Sequence, residues 1–211
     1  RAEARLKSDY VVMRQPPSIG KPSQEPCKIF ALVTATKNND DIAVQKMVGA
    51  SVVGFTACPC TQGLLKALSR ERLKEMGYKE QESKRIVDHM PLATHTQRTK
   101  GTILMQIPTG FSANLEDLID ITEGAMSGQT YGVLKRPAEA SVMVNAITRA
   151  RFTEDVVREI LWALAKKYKD FPDHTQVFAQ AYSEESVHKH DVIAERMATL
   201  GEIREEIKSN K

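Results

Sequence analysis

Apolar and polar positions alternate with a period of two over several stretches of this chain and with a helical period over others. The alternation predicts a strand over Ala2–Arg14, closing on Tyr10, Val11 and Val12, and another over Cys27–Thr36, where Ile29, Ala31 and Val33 share a face. Lys46–Thr56 turns apolar on both faces late in its course, as a central strand does. Thr102–Ile107 (Ile103, Met105, Ile107), Ser141–Thr148 (Val142, Val144, Ala146) and Asp173–Tyr182 (Val177, Ala179, Ala181) read as further strands. Helical spacing places Leu115, Leu118, Ile119 and Thr122 on one stripe behind Asn114 as N-cap, with Glu116 and Asp117 suiting the first turn. Thr153 caps a helix with Val156, Val157, Ile160, Leu161 and Leu164 on one face. A last helix is expected from Asp191 to about Lys208, with Ile193, Met197, Leu200, Ile203 and Ile207 inside. Gly63–Arg72 and Gln81–Asp88 are helical and strongly charged, which predicts a solvated excursion. Breaker-rich or polar stretches at Gln15–Pro22, Lys37–Asp41, Met90–Arg98, Pro108–Ser112 and Thr130–Pro137 are the turns and loops. The layout is α+β, with hairpin-like antiparallel strands and helices on one face.

Composition narrows the class. The 211 residues suffice for one large domain or two small ones, and 41% apolar with 27% charged is the balance of an ordinary globule. No window approaches the ~18 apolar residues of a membrane span. The net charge of +3 comes from basic residues interleaved with acids, so neither a nucleic acid nor a membrane is an expected partner. Three cysteines at unrelated spacings argue against a disulfide framework and fit a reducing cytoplasm. The chain opens on Arg1 without a signal peptide, and is expected to be a fragment.

The stretch Thr56-Ala57-Cys58-Pro59-Cys60-Thr61-Gln62 is the centre of the candidate chemistry. Cys-X-Cys supplies at most half of a tetrahedral structural zinc site, and no second cysteine pair completes it. A metal here must recruit His95, Glu139 and the cluster Glu185, His188, His190; the competing reading is a half-buried turn. Glu185-Ser186-Val187-His188-Lys189-His190-Asp191 is the richest polar run, and alternate residues of an extended segment share a face, which suits His-X-His to metal. It reads equally as a solvated cap with Asp191 as N-cap. His89 and His174 read as surface residues, and Glu139 as a surface ion-pair partner unless it joins a site. Glu154 either compensates a helix dipole or offers its carboxylate to paired N–H donors such as a guanine edge. Arg98, Lys135 and Arg136 can hold phosphates or stand solvated.

These pieces, with Thr94-His95-Thr96-Gln97-Arg98 and Phe152-Thr153-Glu154-Asp155-Val156-Val157-Arg158, occur in an order that resembles the type IB GTP cyclohydrolases, above all their archaeal, iron-dependent branch called MptA. The charged helical insert, about residues 63–88, is taken as the archaeal form. The resemblance implies a bimodular tunnelling fold over residues 1–211, lacking an upstream N-terminal segment, and a homodimer or homotetramer with active sites at subunit interfaces. It implies that GTP is opened at C8 of its guanine ring with loss of formate, giving 7,8-dihydroneopterin 2′,3′-cyclic phosphate for methanopterin-type cofactors. Carried over, Cys58, His95, Glu139 and His188 are metal-site residues, and Cys58, His95, His190 and Glu185 are catalytic. Glu154 anchors guanine, and Gln97, Arg98, Lys135 and Arg136 are substrate-binding. The ion is expected to be Fe(II), with Mn or Zn as alternatives. Two other readings remain: a related pterin or deazapurine enzyme with Cys58 as covalent nucleophile, and a non-catalytic module stabilised by metal.

Overall fold

A computed structural model of the chain describes residues 1–17, 20–39 and 41–209. Parts of the predicted Gln15–Pro22 loop and Lys37–Asp41 turn therefore lie outside the described residues. The elements run β1 (Ala2–Arg14), β2 (Ser23–Asn38), β3 (Asp41–Ala57), α1 (Pro59–Glu75), α2 (Glu80–His89), β4 (Thr96–Gln106), α3 (Leu115–Gly124), β5 (Gly128–Gln129), α4 (Arg136–Thr148), α5 (Thr153–Lys167), β6 (Gln176–Glu184), β7 (Val192–Thr199) and α6 (Leu200–Ser209). The strands form one antiparallel sheet in the order β1-β2-β3-β4-β6-β7, with the short β5 paired to β3. This is the α+β layout expected of a tunnelling fold.

The core lies between one sheet face and α3, α5 and α6. Ala50 and Val52 of β3, Ile103 and Met105 of β4, and Val177, Ala179 and Ala181 of β6 meet Leu118 and Ile119, then Val156, Ile160, Leu161 and Leu164, then Leu200 and Ile203. α3 comes closest at Gly101: a β-carbon there would sit 2.6 Å from Thr122 Cγ2 and 2.8 Å from Met126 Cε. α1 buries none of its side chains and pairs with α2, as the charge pattern predicts of an excursion.

Two elements differ from the sequence expectation. Residues 141–148 are helical, not a strand: Pro137 pre-sets the first turn, and Ala138, Val142 and Ala146 recur four apart as the buried stripe of α4. Val142, Val144 and Ala146 fit a period of two only because that window is short. The segment after Asp191 is an edge strand before it is a helix. Thr199 and Glu202 form the capping box that starts α6: Glu202 N–H donates to Thr199 Oγ1 (3.3 Å), and Thr199 N–H donates to Glu202 Oε2 (2.7 Å). Asp191 therefore caps nothing, and Ile193 and Met197, expected inside, are 60% and 66% exposed on β7. β1 keeps its expected bounds and β2, β3 and β4 run longer than predicted; β4 already begins at Thr96, so Gln97 and Arg98 belong to a strand rather than a loop.

Candidate active site

Where β3 runs out, Cys58 leaves the sheet and caps α1. Its φ of −73° and ψ of 115° are extended, Pro59 follows in the first turn, and Thr61 N–H donates to Sγ at 3.5 Å. The β3–β4 register brings Ala57 opposite Thr96, and Cys58 N–H donates to the His95 carbonyl at 3.1 Å. Thr94 Oγ1 donates to the Cys58 carbonyl at 2.9 Å. Cysteine and histidine, far apart in the chain, thus sit side by side because two strands end together.

His95 is half-buried. Its Nδ1 lies 3.0 Å from Gln97 Oε1 and 3.4 Å from Ser186 Oγ. An amide oxygen only accepts, so the ring donates through Nδ1 and keeps its lone pair on Nε2. From the other side comes the β6–β7 connection, a hairpin rather than the strand-to-helix junction expected. It presents Glu185, His188 and His190, the two imidazoles stacked at 5.2 Å with planes 18° apart. Tyr182 bonds Asp191 across the base of this hairpin. The N-terminus of α5 closes the site: Asp155 accepts Phe152 N–H at 3.0 Å, which makes Phe152 and not the expected Thr153 the N-cap; Thr153 and Glu154 open the first turn. Arg151 N–H donates to the Ala57 carbonyl at 3.0 Å, pinning this turn to β3. Burial pulls its guanidinium below the ordinary value, against Glu159, while the group donates to the Gly124 and Ala125 carbonyls.

These side chains line one open cleft of about 430 Å³, comprising Cys58, Cys60, Thr61, His95, Gln97, Phe152, Thr153, Glu154, Glu185, Val187, His188, His190 and Val192. A larger groove of about 550 Å³ between α5, β7 and α6 shares Glu154 but carries neither thiol nor imidazole, so donor chemistry favours the smaller cleft. The remaining sequence candidates lie elsewhere. Glu139 is exposed in the first turn of α4, and Lys135 and Arg136 are exposed at its start. Arg98 points to the other face of β4, beside Lys100 and Tyr182. Gln97 reaches the cleft as the partner of His95. Thr61 and Ser186 were missed; their only sequence signal is their position within the Cys-Pro-Cys and His-X-His runs.

The cleft gathers two sulfurs, three imidazoles and two carboxylates, a donor set that fits a borderline divalent ion. Among the described residues of the single chain, no three His, Cys, Asp or Glu side chains stand close enough to hold one together.

The family described as Type I GTP cyclohydrolase folE2 matches residues 1–194. The chain is 41% identical over 209 residues to "GTP cyclohydrolase MptA" of Methanococcus aeolicus, covering 99% of this chain and 68% of the relative. It is 41% identical over 208 residues to the protein of that name from Methanocaldococcus jannaschii, covering 99% and 66%. For that of Methanococcoides burtonii the identity is 40% over 211 residues, covering 100% and 67%. The chain thus spans about two thirds of the length of these relatives.

Proposed function

Since the chain belongs to the type I GTP cyclohydrolase family, on its MptA branch, we propose that the Cys58 cleft opens the guanine ring of GTP at C8 and releases formate. The product on this reading is 7,8-dihydroneopterin 2′,3′-cyclic phosphate, a pterin precursor. The observation that carries the reading is the meeting of Cys58, His95, Glu185, His188 and His190 with Glu154 around a single cleft.

Cys58, His95 and His188 are the side chains assigned to a divalent ion, Fe(II) by expectation and Mn or Zn as alternatives, and would have to draw together to hold it. A carboxylate would come from Glu185, or from Glu139 where a second copy brings it. Such an ion makes hydroxide available at neutral pH and polarises the purine. The chain's own groups do the rest. Glu154 presents two acceptor oxygens to guanine N1–H and the 2-amino group. Adding water across C8–N7 and expelling formate each require proton transfers, which the exposed His190 is of the right type to make. Lys135, Arg136 and Arg98, outside the cleft of their own chain, are assigned to the triphosphate at a boundary between copies. An uncovered apolar sheet surface, with Leu6 at 54%, Ile42 at 66% and Val44 at 50% exposure, supports assembly into a homodimer or homotetramer.

The test is formate release from GTP by protein purified without oxygen and loaded with Fe(II). Cys58→Ala is expected to lose at least about a thousandfold in rate while keeping its melting temperature. Wild-type rates in that variant would remove the reading. Metal analysis separates it from a metal-free covalent mechanism, and chelation that leaves the fold intact separates it from a metal-stabilised module.

A further inference from the structure

Beneath the cleft, the core face of the sheet changes character in step on three strands. Its inward positions run Val52, Gly54, Thr56 and then Cys58 along β3; Ile103, Gly101, Thr99 and Gln97 back along β4; and Ala179, Ala181, Ser183 and Glu185 out of β6. Each apolar stripe ends in a hydroxyl one step before a cleft residue. Thr56, Thr99 and Ser183 are fully buried, and Thr153 at the start of α5 is 4% exposed.

The hydroxyls bond one another. Thr56 and Thr99 stand 3.0 Å apart, Thr99 and Ser183 2.9 Å, and Thr153 donates to Ser183 at 2.9 Å. Thr99 also donates to the Gln97 carbonyl at 3.4 Å. One assignment uses every proton once: Thr153 donates to Ser183, Ser183 and Thr56 donate to Thr99, and Thr99 donates to the carbonyl. The chain of bonds therefore runs from the residue next to Glu154 to the residue that holds His95.

We propose that this buried hydroxyl chain is a positioning device that sets where Glu154 stands relative to His95 and Cys58, and with it the discrimination between guanine and hypoxanthine nucleotides. The proposal rests on the reading of Glu154 given above. An apolar core would be served as well by valine or alanine at these positions, since buried hydroxyls add little net stability. What they add is register. Each bond holds within a few tenths of an ångström, so α5 cannot slide against β6 and β4 without stranding a buried donor. Glu154, exposed and without a side-chain bond among the described residues, takes its place from Thr153. Ser183, beneath the cleft, and Thr153, at its wall, thus act as positioning residues through Glu154.

The experiment compares kcat/KM for GTP and for inosine triphosphate, which lacks the 2-amino group, in wild type, Ser183→Ala, Thr153→Val and Thr153→Ser. The preference for GTP is expected to fall roughly tenfold in Ser183→Ala and Thr153→Val, with bound metal per chain unchanged, and to persist in Thr153→Ser. A merely structural loss would lower both substrates together. If Ser183→Ala does not fold, Thr153→Val decides, because it cuts only the last link and leaves the Phe152–Asp155 cap. A wild-type preference in folded Thr153→Val would overturn the proposal. A wild-type enzyme that releases no formate, or treats the two nucleotides alike, would instead overturn the reading it rests on.

Discussion

Gln97 turns its amide oxygen to His95 Nδ1, and that contact decides which ring nitrogen remains for a ligand. Gln97→Leu keeps the volume and removes the acceptor; it is expected to weaken metal binding about 10- to 100-fold, measured as metal retained after dialysis against a graded chelator. The cysteines differ in the same local way. Cys60 is exposed, while Cys27 is buried with Sγ bonded to the Tyr10 carbonyl, and burial pushes its thiol up. Under a disulfide-exchange reagent Cys60 is expected to react first, and Cys27 only on unfolding or well above the usual thiol range, as peptide mapping against pH would show. At this scale the sequence was informative about type and order. Cys58, His95, His188 and Glu154 stood out because thiols, imidazoles and a first-turn acid are rare next to breakers. Gln97, assigned to substrate by the resemblance, stands beside His95, a neighbour that its place in a polar run does not disclose. Thr56, Thr99 and Ser183 were invisible as a group: a lone hydroxyl in a strand is ordinary until register shows its partners.

Among the elements, the ones read correctly carry long, unambiguous patterns. α5 shows five buried positions at helical spacing, and β6 alternates cleanly through Val177, Ala179 and Ala181. α4 and β7 were misread because each holds two signals in a short window. In α4 Val142 and Val144 alternate along a segment whose helical stripe is Ala138, Val142 and Ala146; in β7 apolar residues at helical spacing occupy an edge strand that leaves Ile193 and Met197 in solvent. The deciding cues, Pro137 and the Thr199–Glu202 box, were present in the sequence. Close approach makes its own prediction. Gly101→Val would drive methyl groups into Thr122 and Met126, and overpacking of this kind costs about 1–3 kcal/mol, to be read as a lower denaturation midpoint. Past the C-terminus of α5, Tyr168 stacks edge-on with Phe171 and has a buried hydroxyl with no hydrogen bond among the described residues. Burial pushes its pKa up to about 12 from 10.0. The unfolded chain releases this proton first, so the fold should lose stability as pH rises from 10.0 towards 12. Tyr168→Phe should flatten that loss in alkaline denaturation curves.

For the molecule as a whole, the sheet is longer than the helices that cover it. β1 carries Leu6 and the far end of β3 carries Ile42 and Val44 in the open, and β1 and β7 are edges. Sedimentation should find the chain self-associated at micromolar concentration, and Leu6→Lys with Val44→Lys should shift it towards monomer. Alternation along β1–β3 was legible in the sequence; that it runs beyond the helices was not, since cover depends on where distant elements dock. The arrangement of Cys58 and His95 has one more consequence. Their backbones are joined directly, so the α1–α2 hairpin leaves and rejoins the sheet through a single narrow neck. The frame of the cleft is closed beneath that neck, and the lobe above it is free to lengthen, shrink or acquire a role of its own over evolution without moving the cleft.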